Sequence, residues 1–195
     1  VLGIDPARVT VLYNKGPALG NHGKYQEAII QYDKLLAVDP GYINALNNKG
    51  QALGNLGKYE EAIIWFDKSL EIDPADVYAI YNKGSVFIHL GKYEEAIIWL
   101  NKALEIDPTD IDILNNNGVA LGDLGKYQEA IILYDKALNI DPRDVNALAN
   151  KGLALGNLGK YQEVITWFDK ALKIDPVDTN ILNNKAVAVS KLTPN

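Results

Sequence analysis

Few side chains in this sequence have a type and spacing that could do chemistry. The nearest to a motif is Gly-Lys, which begins at Gly23, Gly57, Gly91, Gly125 and Gly159. A phosphate-cradling loop needs G-x-x-x-x-G-K followed by Ser or Thr, and it follows a strand. Here Tyr follows every lysine and the earlier glycine is misplaced, so no nucleotide site is expected. The carboxylate pair Glu60-Glu61, repeated as Glu94-Glu95, falls where a helix should start, and acids there are solvated and complement the helix dipole. His22 and His89 stand far apart, in no ligand-spaced cluster. Cysteine is absent, which removes disulfides, thiolate nucleophiles and thiolate metal ligands together. Nucleophile, base and metal ligands never converge, so the expectation is a protein that is not an enzyme, with no cofactor and no metal. One polar column does stand out: Asn14, Asn48, Asn82, Asn116, Asn150 and Asn184. Asparagine is a poor helix former. Its amide, however, donates and accepts at once, matching both polar groups of a peptide main chain.

The elements that must carry this column follow from a repeat. Prolines at 6, 40, 74, 108, 142 and 176 recur with a period of 34. Five full repeats result, 9–42, 43–76, 77–110, 111–144 and 145–178. Residues 1–8 match the end of a preceding repeat, and 179–195 the first half of a sixth, expected as a terminal capping helix. In the second repeat a first helix is expected over about Ile43–Leu56, with Ala45, Leu46, Ala52 and Leu53 on one face. Leu56-Gly57-Lys58 makes the turn, because glycine accepts the left-handed helix end. A second helix follows over about Lys58–Ile72, burying Ala62, Ile63, Phe66 and Leu70. Asp73-Pro74 ends it. Asp76, Asp110, Asp144 and Asp178 stand where the next helices begin and should cap them. Two short helices cannot bury their own apolar faces, so neighbouring repeats must stack into an all-α solenoid of helix-turn-helix units.

Composition agrees. With 48% apolar residues the chain can fill a core. It has no run near the ~20 apolar residues of a membrane span and no signal peptide, so no membrane partner is expected and the default location is cytoplasmic. The net charge of −6 and the lack of a basic run argue against nucleic acid. The absence of an initiating methionine and the start in mid-repeat suggest a piece of a longer protein.

The spacing of Leu46, Gly50, Leu53, Ala62, Phe66 and Pro74 resembles the tetratricopeptide repeat over essentially the whole chain. The resemblance implies a right-handed superhelix whose first helices line a concave groove for a peptide of a protein partner. Two columns depart from the family pattern. Lysine stands where leucine is usual, at Lys15, Lys49, Lys83, Lys151 and Lys185, with Asn117 the exception. Isoleucine fills a usually polar column at Ile30, Ile64, Ile98 and Ile132, with Thr166 in the fifth repeat.

The asparagine column resembles the ladder with which the superhelix of the O-linked N-acetylglucosamine transferases holds peptide main chain. The alternative is that each amide bonds a neighbouring helix. Two flanking columns would share the groove: Tyr13, Asn47, Tyr81, Asn115, Ala149 and Asn183, and Thr10, Asn44, Tyr78, Asp112, Asn146 and Asn180. The family's clamp for chaperone carboxyl termini needs Lys and Arg there, and they are absent, so a polar or mildly basic peptide is expected. The third repeat adds Tyr78, Tyr81, Ser85, Ile88 and His89, a candidate specificity pocket. The isoleucine column, with Trp65 and Trp99 beside it, should draw an apolar stripe on the convex face. That stripe would suit self-association into a homo-oligomer, or a structural spacer, unless lysine stems such as those of Lys68 and Lys102 cover it.

Overall fold

Each 34-residue repeat folds as the periodicity demands, and the joints show why. In the computed structural model, which describes residues 6–192, there are eleven α-helices and no strand among the described residues. They are α1 (Pro6–Asn21), α2 (Tyr25–Val38), α3 (Ile43–Asn55), α4 (Tyr59–Ile72), α5 (Val77–His89), α6 (Tyr93–Ile106), α7 (Ile111–Asp123), α8 (Tyr127–Ile140), α9 (Val145–Asn157), α10 (Tyr161–Leu172) and α11 (Thr179–Leu192). The segments 1–5 and 193–195, and the side chains of Thr10 and Tyr13, lie outside what is described. No described helix is long and apolar enough to cross a membrane.

The turn inside each repeat is closed at glycine. Gly57 has φ +74°, and its counterparts Gly23, Gly91, Gly125 and Gly159 also lie in the left-handed region. Lys58 N–H donates to the Leu53 carbonyl and Gly57 N–H to that of Gly54, satisfying carbonyls the helix end leaves over. Between repeats, the expected caps are present. Asp76 accepts from the N–H groups of Tyr78 and Ala79, Asp110 from Ile113, Asp144 from Ala147, and Asp178 from Asn180 and Ile181.

The helices divide into two compact halves, one ending at Lys92 and one beginning at Tyr93. Each has its own core. In the first, Ala28, Tyr32, Leu35, Ala45, Leu46, Ala62 and Phe66 are buried together. In the second, Leu114, Tyr134, Ala147, Leu148, Phe168 and Ile181 do the same. A tight contact fixes the two helices within a repeat. A Cβ added at Gly50 would come within 2.7 Å of the Phe66 ring, so only glycine lets α3 and α4 approach this closely.

The lysine column supplies the contact between repeats. Lys49 is buried, and its Nζ pairs with Asp33 on the second helix of the preceding repeat. Lys83 pairs with Asp67 and Lys151 with Asp135 in the same way, and Lys185 with Asp169 at 2.5 Å. Where the column carries Asn117, the partner is Asn101, and the amides bond at 2.7 Å. The stem of the lysine fills the place a leucine would take, while its charge reaches a half-exposed carboxylate at the helix edge. In the second and fifth repeats the ammonium also lies over an indole, Lys49 at 3.5 Å from the centroid of Trp65 and Lys151 at 3.7 Å from that of Trp167.

Two predictions follow from these joints. Asp33→Ala leaves a buried ammonium without its counter-charge and should cost about 1–3 kcal/mol in urea unfolding. The double variant Asp33→Asn, Lys49→Asn, copying Asn101 and Asn117, should regain most of that loss. The second concerns Tyr134, whose hydroxyl burial pushes well above its ordinary pKa of 10.0, with the Asp123 carboxylate adding to the rise. The folded state then holds this proton more tightly than the unfolded one. Its contribution is complete below pH 10 and falls away as the solution becomes more alkaline. Tyr134→Phe, which copies Phe66 and Phe168, should flatten the alkaline loss of stability followed by circular dichroism.

Candidate functional site

The first helix of each repeat carries its polar face at positions three, four and seven residues apart, as helical geometry requires. Three clefts open along these faces, and all occupy the same place in the repeat. The first lies between α1, α2 and α3, lined by Asn21, Tyr25, Asn48, Gln51 and Asn55 among others. The second lies between α3, α4 and α5, with Asn55, Tyr59, Asn82, Ser85 and His89. It shares Gln51 and Asn55 with the first, so the two are continuous within the N-terminal half. The third lies between α9, α10 and α11, with Leu153, Tyr161, Asn184, Val187 and Lys191. Every one of the three contains a member of the asparagine column and the tyrosine that follows Gly-Lys.

The asparagines themselves divide. The side-chain amides of Asn48, Asn150 and Asn184 make no hydrogen bond among the described residues. Asn82 Nδ2 donates to the Tyr78 carbonyl one turn earlier, 2.7 Å away. Asn116 has a partner of its own. Asn14 is exposed.

Asn47 and Asn115, expected on the binding surface, are instead buried structural groups, at 4% and 6% exposure. Asn47 Nδ2 donates to Asp76 Oδ2 at 2.6 Å, and Ser69 Oγ donates to the same oxygen at 2.9 Å. One carboxylate therefore holds α3, α4 and the start of α5. Asn115 Nδ2 meets Asp144 in the same manner at 2.9 Å. The reason is rotation: one residue along a helix moves a side chain by about 100°, enough to carry this column from the groove into the joint.

The third-repeat group also separates. Ser85 and His89 line the second cleft, whereas Tyr78, Tyr81 and Ile88 do not. Tyr78 is 40% exposed, and Tyr81 and Ile88 are half-buried. The aromatic wall comes from Tyr59, stacked on the His89 ring with centroids 5.3 Å apart and planes 4° from parallel. Sequence reasoning missed Tyr25, Tyr59 and Tyr161, treating the recurrent Gly-Lys-Tyr as a helix start alone. Its invariance across the repeats was the available signal.

On the opposite side of the second helices, Ile30, Ile64, Ile98 and Ile132 are exposed, by 46% to 67%. Trp65 and Trp99, expected beside them in the stripe, are half-buried instead. Lys68 covers Trp65 at 4.0 Å and Lys102 covers Trp99 at 5.3 Å, as cations over indole rings.

Models of the tetratricopeptide repeat match residues 13–77, 121–159 and 145–178. A model of the anaphase-promoting complex (cyclosome) subunit 3 matches 55–137. No curated protein matches. Solved structures do. A tetratricopeptide repeat protein of Parabacteroides merdae is 21% identical with a TM-score of 0.81, over 95% of this chain and 74% of its own. MamA of Desulfovibrio magneticus is 22% identical with a TM-score of 0.78, over 88% of this chain and 97% of its own. YrrB, described as a repeat protein of this type with an unusual peptide-binding site, is 24% identical with a TM-score of 0.72, over 90% of both chains. At such identities the likeness is one of fold. Proteins of this type serve in general as interaction scaffolds rather than catalysts. Period, helix pairing and matched models agree, and the chain, an all-α solenoid of helical repeats, belongs to the tetratricopeptide repeat family.

Proposed function

We propose that this protein is a non-catalytic scaffold that binds an extended peptide segment of a protein partner along the clefts of its first helices. The observation that carries the reading is the recurrence of one cleft at equivalent positions, each edged by a ladder asparagine. In two of the three, Asn48 and Asn184 have amides with no hydrogen bond among the described residues. An unpaired amide on a concave polar face can exchange water for the N–H and C=O of a peptide at little cost. The tyrosines beside the asparagines supply apolar walls with a polar tip, the kind of surface that anchors ligands. YrrB, whose description names a peptide-binding site, shares the fold, which is in keeping with this use. The clefts of the N-terminal half, rich in amides and hydroxyls, suit polar or mildly basic segments. The Tyr59–His89 stack, where the second repeat meets the third, is the proposed specificity feature.

The test is selection of a displayed peptide library on the full chain, followed by affinity measurement with Asn48→Ala, Asn150→Ala, Asn184→Ala. Selected peptides should bind the triple variant about tenfold more weakly, two or three hydrogen bonds being lost, with an unchanged melting temperature. Asn47→Ala should show the reverse pattern, lowered stability with the surviving fold still binding. Equal affinity of wild type and triple variant would remove the ladder from recognition.

A second reading has its own observation, the exposed isoleucines of the second helices. Four large aliphatic side chains at a column that is usually polar favour self-association into a rod or homo-oligomer. Light scattering at high concentration should then show a species larger than the monomer, lost in Ile64→Lys, Ile98→Lys. A monomer at every concentration ends this alternative.

A further inference from the structure

The three clefts share a place in the repeat but not a chemistry. At the position three residues beyond the ladder asparagine, the N-terminal clefts carry Gln51 and Ser85, while the cleft of α9, α10 and α11 carries Val187. Seven residues beyond the asparagine, Asn55 and His89 give way to Lys191. On the facing wall Leu153 stands where the second cleft has Gln51 and the first has Pro17, and Val164 and Ala188 complete the floor. The space is about 270 Å³. Leu153 is 43% and Val187 57% exposed, so the walls are wet and apolar at once. At the rim, Lys191 makes no ion pair or hydrogen bond among the described residues. The neighbouring cations, by contrast, are taken: Lys160 faces Glu163 at 3.2 Å and Lys185 faces Asp169 at 2.5 Å.

We infer that this cleft takes an aliphatic side chain of a peptide segment, with an acidic side chain directly after it meeting Lys191. The inference rests on the peptide-binding reading and narrows it. Covering Leu153 and Val187 removes apolar surface from water, which favours a branched aliphatic group over a polar one. The ammonium at the mouth, without a partner among the described residues, selects the sign of the next residue. Asn184, whose amide is unpaired, lies between the two and holds the main chain that joins them.

The experiment is an NMR titration of the full chain with acetylated, amidated octapeptides of Gly, Ser and Asn carrying one central pair: Leu-Glu, Leu-Lys or Ser-Glu. Blocking both ends separates an acidic side chain from a terminal carboxylate, and a fourth peptide ending in Leu with a free carboxylate tests the latter. Leu-Glu should shift the amide resonances of Leu153, Val187 and Lys191. Leu-Lys should bind about threefold to fivefold more weakly, the yield of one surface charge pair. Ser-Glu should bind at least about tenfold more weakly, the worth of one buried aliphatic side chain. Lys191→Glu, a change on an exposed residue, should invert the preference between Leu-Glu and Leu-Lys. If all four peptides shift Asn48 and Asn82 but none prefers the C-terminal cleft, this inference fails and peptide binding stands. If no peptide shifts any cleft residue, both fail. Preference for the free-carboxylate peptide, or shifts at Leu153 and Val187 that grow with protein concentration alone, would replace the acidic side chain by a chain terminus or by a second copy.

Discussion

The contact on which the rest depends is the pair formed by a buried lysine and a carboxylate sixteen residues earlier, on the second helix of the preceding repeat. Desolvating an ammonium is expensive, and here the cost is contained because the carboxylate stays half-exposed and the stem does the filling. A leucine in the column would pack as well, but it would pack against any apolar neighbour. The lysine packs only where an acid waits at one height on the next helix. Each Lys–Asp pair therefore fixes how far one repeat is shifted along another, and with it the height at which the first helices stand side by side.

The clefts follow from that shift. In the three clefts described, two neighbouring first helices and the tyrosine at the start of the intervening second helix meet at the same place in the repeat, because the joints hold them there. The backbone thus repeats a hollow whose chemistry is free to change at the positions three and seven residues past the asparagine. Gln51 and Asn55 fill one hollow with amides, and Val187 and Lys191 fill another with a methyl wall and a charge. The joint and the hollow occupy different columns of the same helix. Asn47 belongs to the joint and Asn48 to the hollow, one residue apart.

Much of this was legible in the sequence because its signals are local. The left-handed glycine after each first helix, the aspartate caps and the Gly50–Phe66 match each involve residues within one repeat or at its edge. What was not legible depends on partners in the neighbouring repeat. The lysine column looked like a defect in an apolar position, since Asp33 lies in a different repeat from Lys49. The matched change to Asn101 and Asn117 was the available clue, and it is only meaningful once the two columns are known to touch. Asn47 and Asn115 were misplaced for a different reason, their partners Asp76 and Asp144 standing 29 residues on, at the far edge of the same repeat. The tyrosines of the clefts were hidden by a second role, opening the helices that follow the glycine turns.

The one neutral joint has a consequence for how such a chain avoids misassembly. Near-identical repeats invite slippage, in which a helix docks on a neighbour one period away from its own. Lysine helices are interchangeable with one another, for each would find an aspartate on the wrong neighbour. The Asn101 surface breaks that equivalence. A helix bearing Lys83 or Lys151 that strayed onto it would bury an ammonium opposite an amide, without a counter-ion. Asn117 alone fits there without loss. A pair of uncharged side chains therefore numbers the repeats, marking a single position in an otherwise uniform array.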